Sequence, residues 1–121
     1  EDQQELAHDI IQSGADVIIG HHPHVIQGME LYENRPIFYS LGNFIFDQYW
    51  SENTQKMLSI ELEFDSTSAN FELKPLISNK SRLKLAKENQ RRIILKHFAK
   101  WSEFDKKIRE QVISGSFSLE W

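Results

Sequence analysis

Three of the chain's five histidines, His21, His22 and His24, fall within four positions, with Pro23 between the last two. Neutral imidazole is a common ligand for zinc, manganese, iron and nickel ions. In an extended segment the side chains at i and i+2 point to the same side, so the spacing predicts that His22 and His24 are presented together. Pro23 fixes its own φ and biases its predecessor toward extended geometry, which would preset the pair. His21 would face the other way, or sit at the rim as a proton donor or as support for a ligand. A lone histidine is usually a packing or turn residue, but three in four positions at a strand end point to metal binding or catalysis. Two imidazoles make at most half a site, since even a four-coordinate catalytic metal typically takes three protein ligands.

The elements that must position this turn come just before it. Val17-Ile18-Ile19 is a short β-branched run closed by Gly20 and reads as a buried strand. It is apolar at every position, as suits a strand covered on both faces. A turn at the C-terminal end of such a strand is where α/β folds place ligand sites. Residues 2–13 predict a helix with Asp2 as cap and Glu5 completing a capping box. Leu6, Ala7, Ile10 and Ile11 form its apolar stripe, and Gly14 suits the position just past its end. His8 lies off that stripe and reads as solvated. Helix, glycine turn and buried strand make half of a β/α unit whose earlier strand is missing.

Downstream, residues 27–33 and 36–41 predict a hairpin with its turn at Glu33-Asn34-Arg35. Gly42 breaks the second strand. Asn43 is then either a plain turn residue or a group that donates to a bound oxyanion or holds a site loop. Asp47 is a candidate carboxylate ligand, with a surface aspartate as the commoner alternative. Tyr32, Tyr49 and Trp50 read as core or rim packing. Leu58, Ile60, Leu62 and Phe64 alternate with polar residues, as in a half-buried antiparallel strand. Residues 70–77 return with Phe71 and Leu73 inward, and Pro75 suggests an edge or a strand end. From Lys84 the pattern turns helical, with Gln90, Ile94, His97 and Trp101 on one face, widened by Ile93 and Phe98. His97 reads as packed. Ser102 and Asp105 predict a second capping box ahead of a helix lined by Phe104, Ile108 and Val112 and ended by Gly115. The tail alternates Phe117, Leu119 and Trp121 and receives no assignment.

Composition narrows the function classes. With 121 residues, 40% of them hydrophobic, the chain can hold one modest domain with a real core. A net charge of −4 leaves no electrostatic footprint for nucleic acid. Neither a membrane segment nor a signal peptide is visible. Cysteine is absent, so the sequence offers neither disulfides nor thiolate ligands. It starts with Glu inside a predicted helix, which reads as a fragment.

The runs Gly14-Ala15-Asp16-Val17-Ile18-Ile19-Gly20-His21-His22-Pro23-His24-Val25 and Pro36-Ile37-Phe38-Tyr39-Ser40-Leu41-Gly42-Asn43-Phe44-Ile45-Phe46-Asp47, in that order, resemble the bacterial CapA family. These are capsule synthesis proteins linked to poly-γ-glutamate, with a calcineurin-like metallophosphoesterase fold. The resemblance implies an α/β fold, the C-terminal half of a metallophosphoesterase-like α/β/β/α sandwich with a mixed or antiparallel sheet and C-terminal helices. Residues 1–78 would be the C-terminal part of that domain and 79–121 a helical extension. The fold's last metal motif, Gly-His-x-His, resembles Gly20 with His22-Pro23-His24 after one inserted residue, His21. That implies His22 and His24 as metal ligands and leaves His21 as a catalytic candidate; Asn43 and Asp47 stand, from the residues themselves, as candidates for binding substrate or positioning the loop. Gly42-Asn43 is not the superfamily's Gly-Asn-His motif, because Phe44 stands where its histidine would be.

The same resemblance implies a divalent metal pair (Mn, Zn or Fe) of which this chain holds only part of the ligand set. It implies the missing N-terminal half of the domain as partner and a cell-envelope location. The whole protein would be a dimetal phosphoester hydrolase that activates water and clamps phosphoryl oxygens, and this chain alone would be inactive. The alternative is a non-enzymatic accessory protein that binds or exports an anionic polymer.

Overall fold

The computed structural model describes residues 2–120. The chain runs α1 (Asp2–Gln12), β1 (Ile18–Ile19), β2 (Met29–Tyr32), β3 (Arg35–Phe38), β4 (Lys56–Phe64), β5 (Ser68–Asn79), β6 (Arg82–Leu85), α2 (Glu88–Trp101), α3 (Lys106–Ser114) and β7 (Ser116–Glu120). Two sheets result. One is mixed, in the order β1-β3-β2, with β1 parallel and β2 antiparallel to β3. The other is antiparallel, with β5 paired to β4 on one side and to β6 and β7 on the other. This is the α/β arrangement with mixed and antiparallel sheets and C-terminal helices that the sequence led us to expect.

Local chemistry explains the turns. Glu33 and Asn34 take φ of +50° and +61°, the left-handed pair that a two-residue hairpin turn matching strand twist requires. Lys80 and Ser81 repeat the device at +50° and +59°. They return the chain as β6, so residues 82–85 are strand and the helix expected from Lys84 begins only at Glu88. Pro75 is not at an edge but inside β5, opposite Leu58. Its carbonyl accepts from Ala86 N, while two residues earlier Leu73 N donates to Gly115 O on the same side. The proline's missing N–H therefore falls where β7 has ended and β6 has not begun, and no ladder bond is lost.

The main core gathers buried residues from Met29 through Leu119. Met29, Phe38 and Leu41 meet Leu58, Phe71 and Leu73 from the second sheet and Leu95, Phe98, Val112 and Phe117 from the C-terminal elements. Phe38 stands at its centre, 6.0 Å from Phe71, 6.3 Å from Phe98 and 6.4 Å from Phe117 between ring centroids, within the range of favourable aromatic pairs. The unassigned tail is thus β7, placing Phe117 and Leu119 against β5; Trp121 lies outside the described residues. Phe64, expected inward, is exposed beside the β4–β5 turn.

Helix α2 buries Ile94, Leu95, Phe98 and Ala99, whereas Ile93, His97 and Trp101 are exposed, so His97 is not packed. Apolar residues flank the Ile94–Phe98 line on both sides, and packing selects the side of Leu95 and Ala99. Ser102 does not cap α3. It ends α2, donating to Phe98 O at 2.6 Å and accepting from Met29 N at 2.8 Å. Asp105 alone caps α3, through Ile108 N at 2.8 Å.

Helix α1 rests on a smaller core of Ala7, Ile11 and Ile37. Leu6 and Ile10 of its expected stripe are exposed, as is Ile19 of β1, which is therefore not covered on both faces. His8, expected to be solvated, is half-buried. It bonds Glu30 Oε1 at 2.8 Å and stacks on Tyr32 with ring centroids 3.7 Å apart. Tyr39 Oη donates to Glu30 Oε2 at 2.5 Å. Burial first, and then the bond to Glu30, push the Tyr39 hydroxyl well above its ordinary 10.0.

Two outcomes follow. A phenol whose pKa is raised by folding binds its proton more tightly in the native state, so stability is full below about pH 10 and falls as pH rises beyond it. Denaturant midpoints from pH 8 upward should show that fall, and Tyr39→Phe should flatten it; an equal fall in the variant would contradict the assignment. Among the described residues β1 has a strand partner on one side only, and open apolar edges pair with other chains. The 121-residue chain by itself should therefore self-associate, with the hairpin and the meander its best-ordered parts. Sedimentation showing a monodisperse monomer that unfolds in one cooperative step would contradict this.

Candidate metal centre at the histidine turn

The turn is anchored by a close approach of two strands. Ile18 and Ile19 pair with Ile37 and Phe38, and Gly20 N continues the ladder to Phe38 O at 2.7 Å. A Cβ at Gly20 would collide with the Tyr39 carbonyl oxygen and sit 3.0 Å from that of Phe38, so only glycine lets β1 run this close to β3. Leu41 N donates back to Gly20 O at 3.3 Å, and Ile26 and Leu41 form an antiparallel bridge that closes the loop.

Between these anchors the backbone is not extended. His22 has φ of +102° and His24 of +63°, on either side of Pro23. The expected presetting by an extended i, i+2 pair is therefore wrong; two left-handed residues around a proline fold the histidines into a tight turn. Such conformations cost a non-glycine residue on the order of 1–3 kcal/mol and recur at functional sites. The His22 and His24 rings lie 6.0 Å apart between centroids, tilted by 42°. With Zn–N near 2.1 Å, two imidazoles on a common ion would stand roughly 5–6.5 Å apart. His21 and His22 are exposed and His24 is half-buried, its ring 5.1 Å from that of Phe46.

Asn43 settles which nitrogen of His24 is free. It is 7% exposed, and its Nδ2 donates to Thr54 O at 3.1 Å and to Gln48 Oε1 at 3.2 Å. A carbonyl only accepts, so Nδ2 must face Thr54 and Oδ1 must face His24, whose Nδ1 lies 2.8 Å away. The amide oxygen likewise only accepts, so Nδ1 carries the proton. In the neutral imidazole the lone pair is then on Nε2. Metal-binding histidines are characteristically held this way, with the second ring N–H donating to a fixed oxygen. Thr54 is itself tied by Oγ1 to Ser51 O at 2.8 Å and to Gln48 O at 3.0 Å.

The structure thus brings together His22, His24 and Asn43, with His21 adjoining. Asp47 is exposed and stands outside this hydrogen-bond network. Gln48 and Thr54 belong to it; sequence reasoning passed over both, and nothing in their spacing marks them. Among the described residues no group of three or more His, Cys, Asp or Glu gathers as a complete ligand set.

Residues 1–48 match the family model described as "Bacterial capsule synthesis protein PGA_cap". The chain is 35% identical over 111 residues to the PGA biosynthesis protein CapA of Bacillus subtilis (strain 168), covering 89% of this chain and 29% of that protein. It is 43% identical over 74 residues to the capsule biosynthesis protein CapA of Bacillus anthracis, covering 61% and 18%. An uncharacterized protein of Sinorhizobium fredii, y4sH, is 56% identical over 45 residues, or 37% and 10%. The chain spans less than a third of the length of the curated relatives it matches. By sequence, it belongs to the CapA family of bacterial capsule synthesis proteins, part of whose length it spans.

Proposed function

We propose that His22 and His24 are ligands of a divalent-metal centre in a cell-envelope capsule synthesis protein that hydrolyses a phosphoester. The remaining ligands would come from the rest of the longer protein. The observation that carries this reading is the Asn43–His24 hydrogen bond, which leaves Nε2 as the free nitrogen. The donor set fits: imidazole suits Zn, Mn and Fe, and the left-handed turn holds both rings at a separation that one ion or two neighbouring ions can use.

A divalent ion bound here would supply Lewis-acid polarisation of a phosphoryl oxygen. The chain's own part is to orient His24 through Asn43, to hold His22 beside it, and to keep the exposed His21 at the rim, where it can pass a proton to a leaving oxygen. Metal binding without turnover would instead assign the site to the alternative role, binding or exporting an anionic polymer.

Elemental analysis of the longest natural form of the protein should find Mn, Zn or Fe, and His22→Ala or His24→Ala should strip most of it. Asn43→Ala should weaken metal affinity by roughly 10- to 100-fold, the usual loss when the group orienting a ligand is removed. Equal metal content in wild type and both histidine variants would overturn the assignment. The 121-residue chain alone should show no metal-dependent phosphoesterase activity. Turnover of a chromogenic phosphodiester that a chelator abolishes and His24→Ala lacks would contradict that expectation.

A further inference from the structure

Ile93, His97 and Trp101 recur every four residues along α2, yet Ile93 is 51% and Trp101 53% exposed. With Ile94 they overhang the segment 25–28 and enclose, together with Lys56, a groove of about 360 Å³. That volume lies in the range of small-molecule sites, which pair an apolar lining with a few placed polar groups. The groove's floor is built by backbone: a Cβ at Gly28 would collide with the Trp101 carbonyl oxygen, so the end of α2 seats directly on this segment.

Charge says what would fill it: among the described residues no acidic side chain lines the groove, while Lys56 does. Its acidic neighbour, Glu52, is 3.5 Å away and 91% exposed, a surface pair of small worth that leaves the ammonium available.

We propose that this groove binds a small amphipathic carboxylate. The apolar body lies between Ile93, Ile94 and Trp101, and the carboxylate pairs with Lys56 Nζ. The groove begins at Val25, directly after the histidine turn, and the proposal does not depend on the metal reading.

Indole-3-acetate carries both elements and serves as the probe. Calorimetric titration of the longest natural form of the protein should give saturable binding. Its neutral amide, indole-3-acetamide, should bind about tenfold more weakly, in line with roughly the loss of one charge-assisted pair. Lys56→Met should abolish that preference for the carboxylate, and Ile93→Glu, at an exposed position, should abolish binding. Thermal unfolding of each variant alongside wild type shows that the fold is retained; if either unfolds early, Trp101→Ala replaces it with the same expectation. No saturable binding at millimolar probe, equal binding of acid and amide, or binding unchanged in the variants would each overturn the proposal.

Discussion

The hydrogen bond from His24 Nδ1 to Asn43 Oδ1 joins the two loops that carry the proposed metal site. Neither loop has regular structure of its own, so the bond exists only because the segments beneath it are clamped. Gly20 N reaches Phe38 O, Leu41 N reaches Gly20 O, and Leu58 N reaches Leu41 O, a line of backbone bonds from β1 through the end of β3 into β4. Ser40 is buried at this crossing, and its Oγ accepts from Gly42 N at 3.2 Å as the chain turns with φ of +81° toward Asn43. The imidazole tautomer is therefore a consequence of strand register, transmitted over a few residues.

That register is in turn held by the aromatic core. Phe38 is the last residue of β3, and its ring sits among Phe71, Phe98 and Phe117 from three later elements. Residues 95–119 share one core with 29–73, so the C-terminal helices and β7 fix the strand that carries the site. The polar contacts around Glu30 dock α1 on the opposite side through His8 and Tyr39. One short strand is thus gripped from both faces, and the histidine turn sits at its edge.

Where one rule governed a segment, the sequence was legible. Period-two alternation marked β4 and β5, and a glycine stop marked the end of α1. Legibility failed where two rules competed. Pro23 argued for extended geometry at His22, but closing the loop between Gly20 and the Ile26–Leu41 bridge demanded left-handed turns. Lys80-Ser81 lacks the glycine or asparagine that usually announces a tight hairpin, so β6 was missed and its last residues, Lys84 and Leu85, read as helix. On α2 the apolar residues allow two faces, and only tertiary packing chooses between them. His8 looked solvated because its partners, Glu30 and Tyr32, lie far along the chain. Asn43 was ambiguous for the same reason: its role depends on Thr54 O, a backbone atom that no residue-type pattern reveals.

The protonation site of His24 is the most direct test of this account. Long-range ¹H–¹⁵N correlation spectra of the imidazoles, recorded on metal-free protein above neutral pH, distinguish the two neutral tautomers. The account predicts a protonated Nδ1 and a pyridine-like Nε2 for His24, with Nε2 the nitrogen that shifts on adding zinc. A protonated Nε2, or a zinc-induced shift at Nδ1, would contradict it.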